Sequence, residues 1–124
     1  MIDNVKWEEN GVKVKYSKIF TFNDNLDSMS EIYCDSRSNK MKYVILDLSD
    51  VNKISLNDDD YRVLAGYDFI ASKRIDNLKL AILIDDPHLE EDNNKFFRYF
   101  QKYDTSWECK IFFNMDELNN WIPT

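Results

Sequence analysis

Apolar residues recur along this chain first with the period of a strand and then with the period of a helix. Val5-Lys6-Trp7-Glu8 and Val12-Lys13-Val14-Lys15-Tyr16 alternate apolar with polar, which predicts two strands with one face toward water. Glu9-Asn10-Gly11 between them predicts a tight hairpin turn built on positive-φ residues. The alternation fails at Ser17-Lys18, ahead of Ile19, Phe20 and Phe22, and predicts a bulge or bend. Asn23-Asp24-Asn25 then offers a helix N-cap, and Leu26, Met29, Ile32 and Tyr33 follow at helical spacing until Ser36-Arg37-Ser38-Asn39.

The middle of the chain changes character. Tyr43-Val44-Ile45-Leu46-Asp47-Leu48 is aliphatic on both faces, the mark of a strand inside a covered, largely parallel sheet. A helix over about Asp58 to Arg74 follows, with Tyr61, Val63, Leu64, Ala65, Tyr67, Phe69, Ile70 and Ala71 spread over an arc too wide for a surface helix; it is expected to be sandwiched. Leu78 to Ile84 predicts the next strand, ended by Asp85-Asp86-Pro87, which opens a third helix with Leu89, Phe96, Phe100 and Tyr103 on its buried stripe. Trp107 to Phe113 predicts the last strand. Asn114 and Glu117 have capping-box spacing for a short helix that turns Met115, Leu118, Trp121 and Ile122 inward. The class is therefore α/β: an N-terminal hairpin forming an antiparallel edge, a mixed, mostly parallel sheet, and four helices expected on both of its faces.

The length of 124 residues suits one domain spanning 1–124. With 23 acidic and 16 basic residues the net charge is −7, which repels phosphate backbones and argues against a nucleic-acid partner. No apolar run reaches the length of a membrane span, and Met1-Ile2-Asp3-Asn4 lacks the features of a signal peptide, so a cytoplasmic location is expected. One His and two Cys are too few for a tetrahedral zinc site; Cys34 and Cys109 are expected to be reduced packing residues, and no cofactor or metal is expected.

Chemistry has few candidates. Asp50, Asp58, Asp59, Asp85 and Asp86 fall at or just past the carboxyl ends of predicted strands, where α/β sheets place ligand crevices and where carboxylates suit Mg²⁺. Caps and turns account for the same residues. His88, at a helix start, has no nucleophile to pair with, and no glycine-rich phosphate cradle or nucleophile elbow occurs. An enzyme is not expected; a Mg²⁺-dependent one ranks a distant third among the readings. The aromatic residues of the second and third helices read first as a filled core with Phe97 and Tyr99 at a homodimer interface.

Two stretches carry a resemblance. Val44-Ile45-Leu46-Asp47-Leu48-Ser49-Asp50-Val51, leading through Ile54-Ser55-Leu56 into the helix with Val63-Leu64-Ala65-Gly66, is one. The other is Cys109 to Ile122, with its Trp-bearing final helix. Together with the order of elements they resemble the STAS domain of the anti-sigma-factor antagonists, in particular its SpoIIAA-like branch, which is related in fold to CRAL-TRIO lipid carriers. The resemblance implies a non-catalytic regulatory or protein-binding module whose partner surface is Asn57, Asp58, Asp59, Asp60 and Tyr61. Antagonists of this kind carry Asp-Ser-Ser-Gly there, with a phosphorylated Ser, whereas this chain reads Asn57-Asp58-Asp59-Asp60. The switch is thus either lost, the simpler reading, or fixed in a rough imitation of the modified state. Ser55 is the nearest other hydroxyl. The alternative implied is a carrier of a small apolar ligand, with Tyr61, Tyr67, Phe96, Phe100 and Tyr103 as its pocket.

Overall fold

The computed structural model describes residues 1–123. Strands β1 (Ile2–Trp7), β2 (Gly11–Thr21), β3 (Tyr43–Ser55), β4 (Lys79–Ile84) and β5 (Glu108–Phe112) form one sheet in the order β1-β2-β3-β4-β5. β1 runs antiparallel to β2, and every other pairing is parallel. Helices α1 (Phe22–Cys34), α2 (Asp58–Ser72), α3 (His88–Phe100) and α4 (Met115–Trp121) follow β2, β3, β4 and β5, with a short 3₁₀ turn, Ser36–Lys40, after α1.

The hairpin forms as the alternation predicts, but its turn contains no positive-φ residue; among the described residues only Lys18 and Asn77 have positive φ. Gly11 is required for a different reason. A Cβ on Gly11 would lie 2.5 Å from the Tyr43 ring on the neighbouring strand, so the glycine admits an aromatic side chain rather than a backbone conformation. The break at Ser17-Lys18 appears as shifts of the β2/β3 register on either side of that pair, with Lys18 at φ 61. The α1 cap lies earlier than expected: Thr21, not Asn23 to Asn25, accepts from the Asp24 N–H, while the Asp24 carboxylate accepts from the Thr21 N–H. β3 runs on through Ser55 rather than stopping at Leu48, because its polar second half still pairs with β2 out to Thr21↔Ser55.

The helices do not divide evenly between the faces. Strand order increases monotonically from β2 to β5, and right-handed crossovers between successive parallel neighbours all return on the same side. The main core therefore holds Met29 and Ile32 of α1, Ala65 and Ala71 of α2, and Leu89 and Phe100 of α3 against Val14, Val44, Leu46, Leu80 and Ile82. Only α4, which joins no further strand, reaches the other face, where Leu118 and Ile122 cover Tyr43, Ile45, Ala81, Leu83 and Phe112. Nor is α2 sandwiched: it packs on the sheet and beside α1 and α3, but Val63 and Ile70 on its outer side are 49% and 67% exposed.

Candidate functional site

The start of α2 is built by a reciprocal cap. Asn57 Oδ1 accepts from the Asp60 N–H at 2.9 Å and Asp60 Oδ2 accepts from the Asn57 N–H at 3.0 Å. Those two side chains are therefore committed to holding the helix end. Asp58 and Asp59 are not: both are exposed, and only Asp59 has a partner, Arg62 one turn later at 2.7 Å. Tyr61 points the other way. It is buried, and its hydroxyl donates to Asp92 of α3 at 3.1 Å; burial first and the Asp92 carboxylate second raise its phenol pKa. Of the five residues grouped by sequence, two cap, two face solvent and one ties α2 to α3. Ser55, exposed, ends β3 just ahead of them.

Along the flank of this helix start runs a groove of about 300 Å³ lined by Asp58, Lys95, Arg98, Tyr99 and Lys102. Arg98 pairs with Glu91 at 2.9 Å, and the Lys102 ammonium lies 5.2 Å from the centre of the Tyr99 ring. Opposite charges thus meet side by side at the junction of α2 and α3.

Beneath α2 lies an interior cavity of about 30 Å³, with apolar walls that include Met29, Leu64 and Phe96 and with Asn25, Asp68 and Asn93 as its polar members. Asp68 is 5% exposed and accepts from the Tyr33 hydroxyl at 2.7 Å. Burial pushes its carboxyl up to about 7, against the opposing pull of the Tyr33 hydrogen bond. Burial also pushes the Cys109 thiol up to about 12, with Asp68 adding to the effect. Sequence reasoning missed Asp68, although the signal is there: it falls on the same helical arc as Leu64, Ala65 and Ala71, all buried.

The five aromatic residues grouped as a ligand pocket are dispersed. Tyr61 and Phe96 line the interior cavity, while Phe100 and Tyr103 line a separate groove with Trp107. Tyr67 pairs its hydroxyl with Ser30 at 2.9 Å. Tyr103 stacks on Phe69 at 4.3 Å, and Phe100 on Phe96 at 5.8 Å. The carboxylates at the strand ends are dispersed too: Asp50 pairs with Lys15 at 3.1 Å, Asp86 accepts from the His88 N–H at 2.9 Å, and His88 is exposed. Among the described residues no three His, Cys, Asp or Glu side chains converge to hold a metal ion. Nor is any helix among them long and apolar enough to cross a membrane.

No protein-family model and no curated protein matches the sequence. Solved structures do match over nearly the whole length. One is an uncharacterized DUF3478-family protein from Shewanella loihica PV-4 with a SpoIIAA-like fold: 14% identity, TM-score 0.59, covering 99% of this chain and 93% of that one. This chain has the SpoIIAA-like fold. A second match is the anti-sigma factor antagonist SpoIIAA in its unphosphorylated form, at 7% identity and TM-score 0.56, covering 97% of this chain and 96% of that one. The five-stranded, mostly parallel sheet with its antiparallel edge and four helices is the SpoIIAA-like architecture anticipated from the element order.

Proposed function

We propose that this SpoIIAA-like chain is a non-catalytic regulatory module that captures a protein partner at the start of α2. The observation that carries the reading is the division of labour there: Asn57 and Asp60 hold the cap, which leaves Asp58 and Asp59 exposed on a capped helix end. The structural likeness to an anti-sigma factor antagonist supports the regulatory role. With aspartates in place of hydroxyl side chains, phosphorylation at this position is lost, and the surface carries its negative charge permanently. The carrier reading has less support, since the residues named for its pocket divide between a cavity of about 30 Å³ with Tyr61 and Phe96 and a separate groove of about 240 Å³ with Phe100 and Tyr103, and Tyr67 lines neither.

Affinity capture from extracts of the source cells, quantified by mass spectrometry, tests the proposal. A protein retained by the wild type should be lost with Asp59→Lys, while the far-UV spectrum and melting temperature stay close to wild type. Equal retention by the variant would refute it.

A further inference from the structure

We infer that the α2/α3 face is a self-complementary surface for a second copy of this chain. Lys95 and Arg98 of α3 and Lys102 in the turn that follows it line one side of the groove. Lys95 and Lys102 make no ion pair among the described residues. Across the groove stands Asp58, without an ion-pair partner among the described residues; the exposed Asp59 next to it in sequence pairs with Arg62.

Two patches of opposite sign lying side by side satisfy the requirement of an isologous contact: a two-fold axis through the groove sets each patch against its complement on the other copy. Tyr99, half-buried between the lysines, then lies near the axis, where interfaces concentrate aromatic anchors. The charge of −7 makes two copies repel overall, so only a face carrying its own cations favours self-contact. The inference stands apart from the partner-binding reading, although both surfaces include Asp58 and Asp59, so a copy and a partner would compete.

Sedimentation velocity from micromolar to millimolar protein tests it with two variants, Asp58→Lys/Asp59→Lys and Lys95→Glu/Lys102→Glu. The cap bonds belong to Asn57 and Asp60, so the first variant retains them, and the second lies on α3 and the turn after it. Wild type should form a dimer that each variant alone weakens at least about tenfold. The first variant should weaken it even though it brings the net charge closer to zero, which separates local complementarity from overall repulsion. Mixing the two variants should restore a dimer, because every contact then joins unlike charges. A wild type that stays monomeric at millimolar concentration overturns the inference. So does a dimer indifferent to both reversals, or a mixture that stays monomeric. The measurement uses this chain alone, so its failure leaves the partner-capture reading to its own test.

Discussion

Two aspartates are buried here, and their surroundings differ. Asp47 on β3 accepts from the Ser49 N–H and hydroxyl at 3.0 and 2.6 Å and has Lys13 at 3.8 Å. Asp68 has one phenol, no cation within 4 Å among the described residues, and apolar neighbours. Its carboxyl, pushed up to about 7, binds a proton in the folded protein at pH values where the unfolded chain has already released it. Between about pH 4 and 7 Asp68 therefore holds more proton in the native than in the unfolded state, and its contribution to stability falls as pH rises through that window. Asp68→Asn retains an acceptor for Tyr33 but has no proton to release. It should match wild type near pH 4 and exceed it above pH 7 by on the order of 4 kcal/mol. Urea denaturation at both pH values checks this, and parallel pH profiles for the two proteins would contradict it. The residue was legible in principle as an acid on an apolar arc; its partner Tyr33, 35 residues earlier in the chain, was not, because only the packing of α1 on α2 brings them together.

At the scale of the element, capping and recognition separate at the start of α2. Asn57→Ala removes an acceptor from the Asp60 N–H and should lower stability by about 1 kcal/mol. Asp58→Ala, which breaks no hydrogen bond, should cost no more than about 0.5 kcal/mol, the loss of a carboxylate from the positive end of the helix dipole. Chemical denaturation of both variants decides the matter; equal losses would mean that Asp58 shares the capping role. Local signals of this kind were partly readable in advance: Asn114 caps α4 by accepting from the Asp116 and Glu117 N–H groups, but among the described residues the Glu117 side chain makes no return bond to the Asn114 N–H that a full capping box would have. The failures have physical causes. Thr21 displaces Asn23 as the α1 cap because β2 carries on to Thr21, and β3 outlasts its aliphatic half because backbone pairing with β2 asks nothing of the side chains. The breadth of the α2 apolar arc implied a sandwich, yet Val63 and Ile70 face outward, and periodicity alone cannot say which part of an arc finds a neighbour.

The whole molecule is a single sheet with unequal covers. Topology, rather than hydropathy, puts three helices on one face, so the expectation of helices on both faces holds only through α4. That helix is seven residues long, too short to persist alone. It is held by Leu118, fully buried, by Ile122, and by Lys79, whose ammonium donates to the Trp121 carbonyl at 3.1 Å and lies 4.7 Å from the centre of its ring. The rest of that face, along β1 and β2, has no helix over it and presents Lys6, Lys13 and Lys15 beside Asp47 and Asp50. A short terminal helix on one patch of apolar contacts should open without disturbing the main core, because β3 and β4 remain paired and packed against α1, α2 and α3. Native-state hydrogen exchange should accordingly find the α4 amides exchanging through an opening well below the free energy of global unfolding, which β3 and β4 should approach. Leu118→Ala should lower α4 protection further and cost about 2–4 kcal/mol overall, since the lost side chain leaves a cavity over Ala81 and Phe112. Protection in α4 equal to that of β3 would instead show the two covers unfolding as one unit, and the smaller core would then be as integral to the fold as the larger.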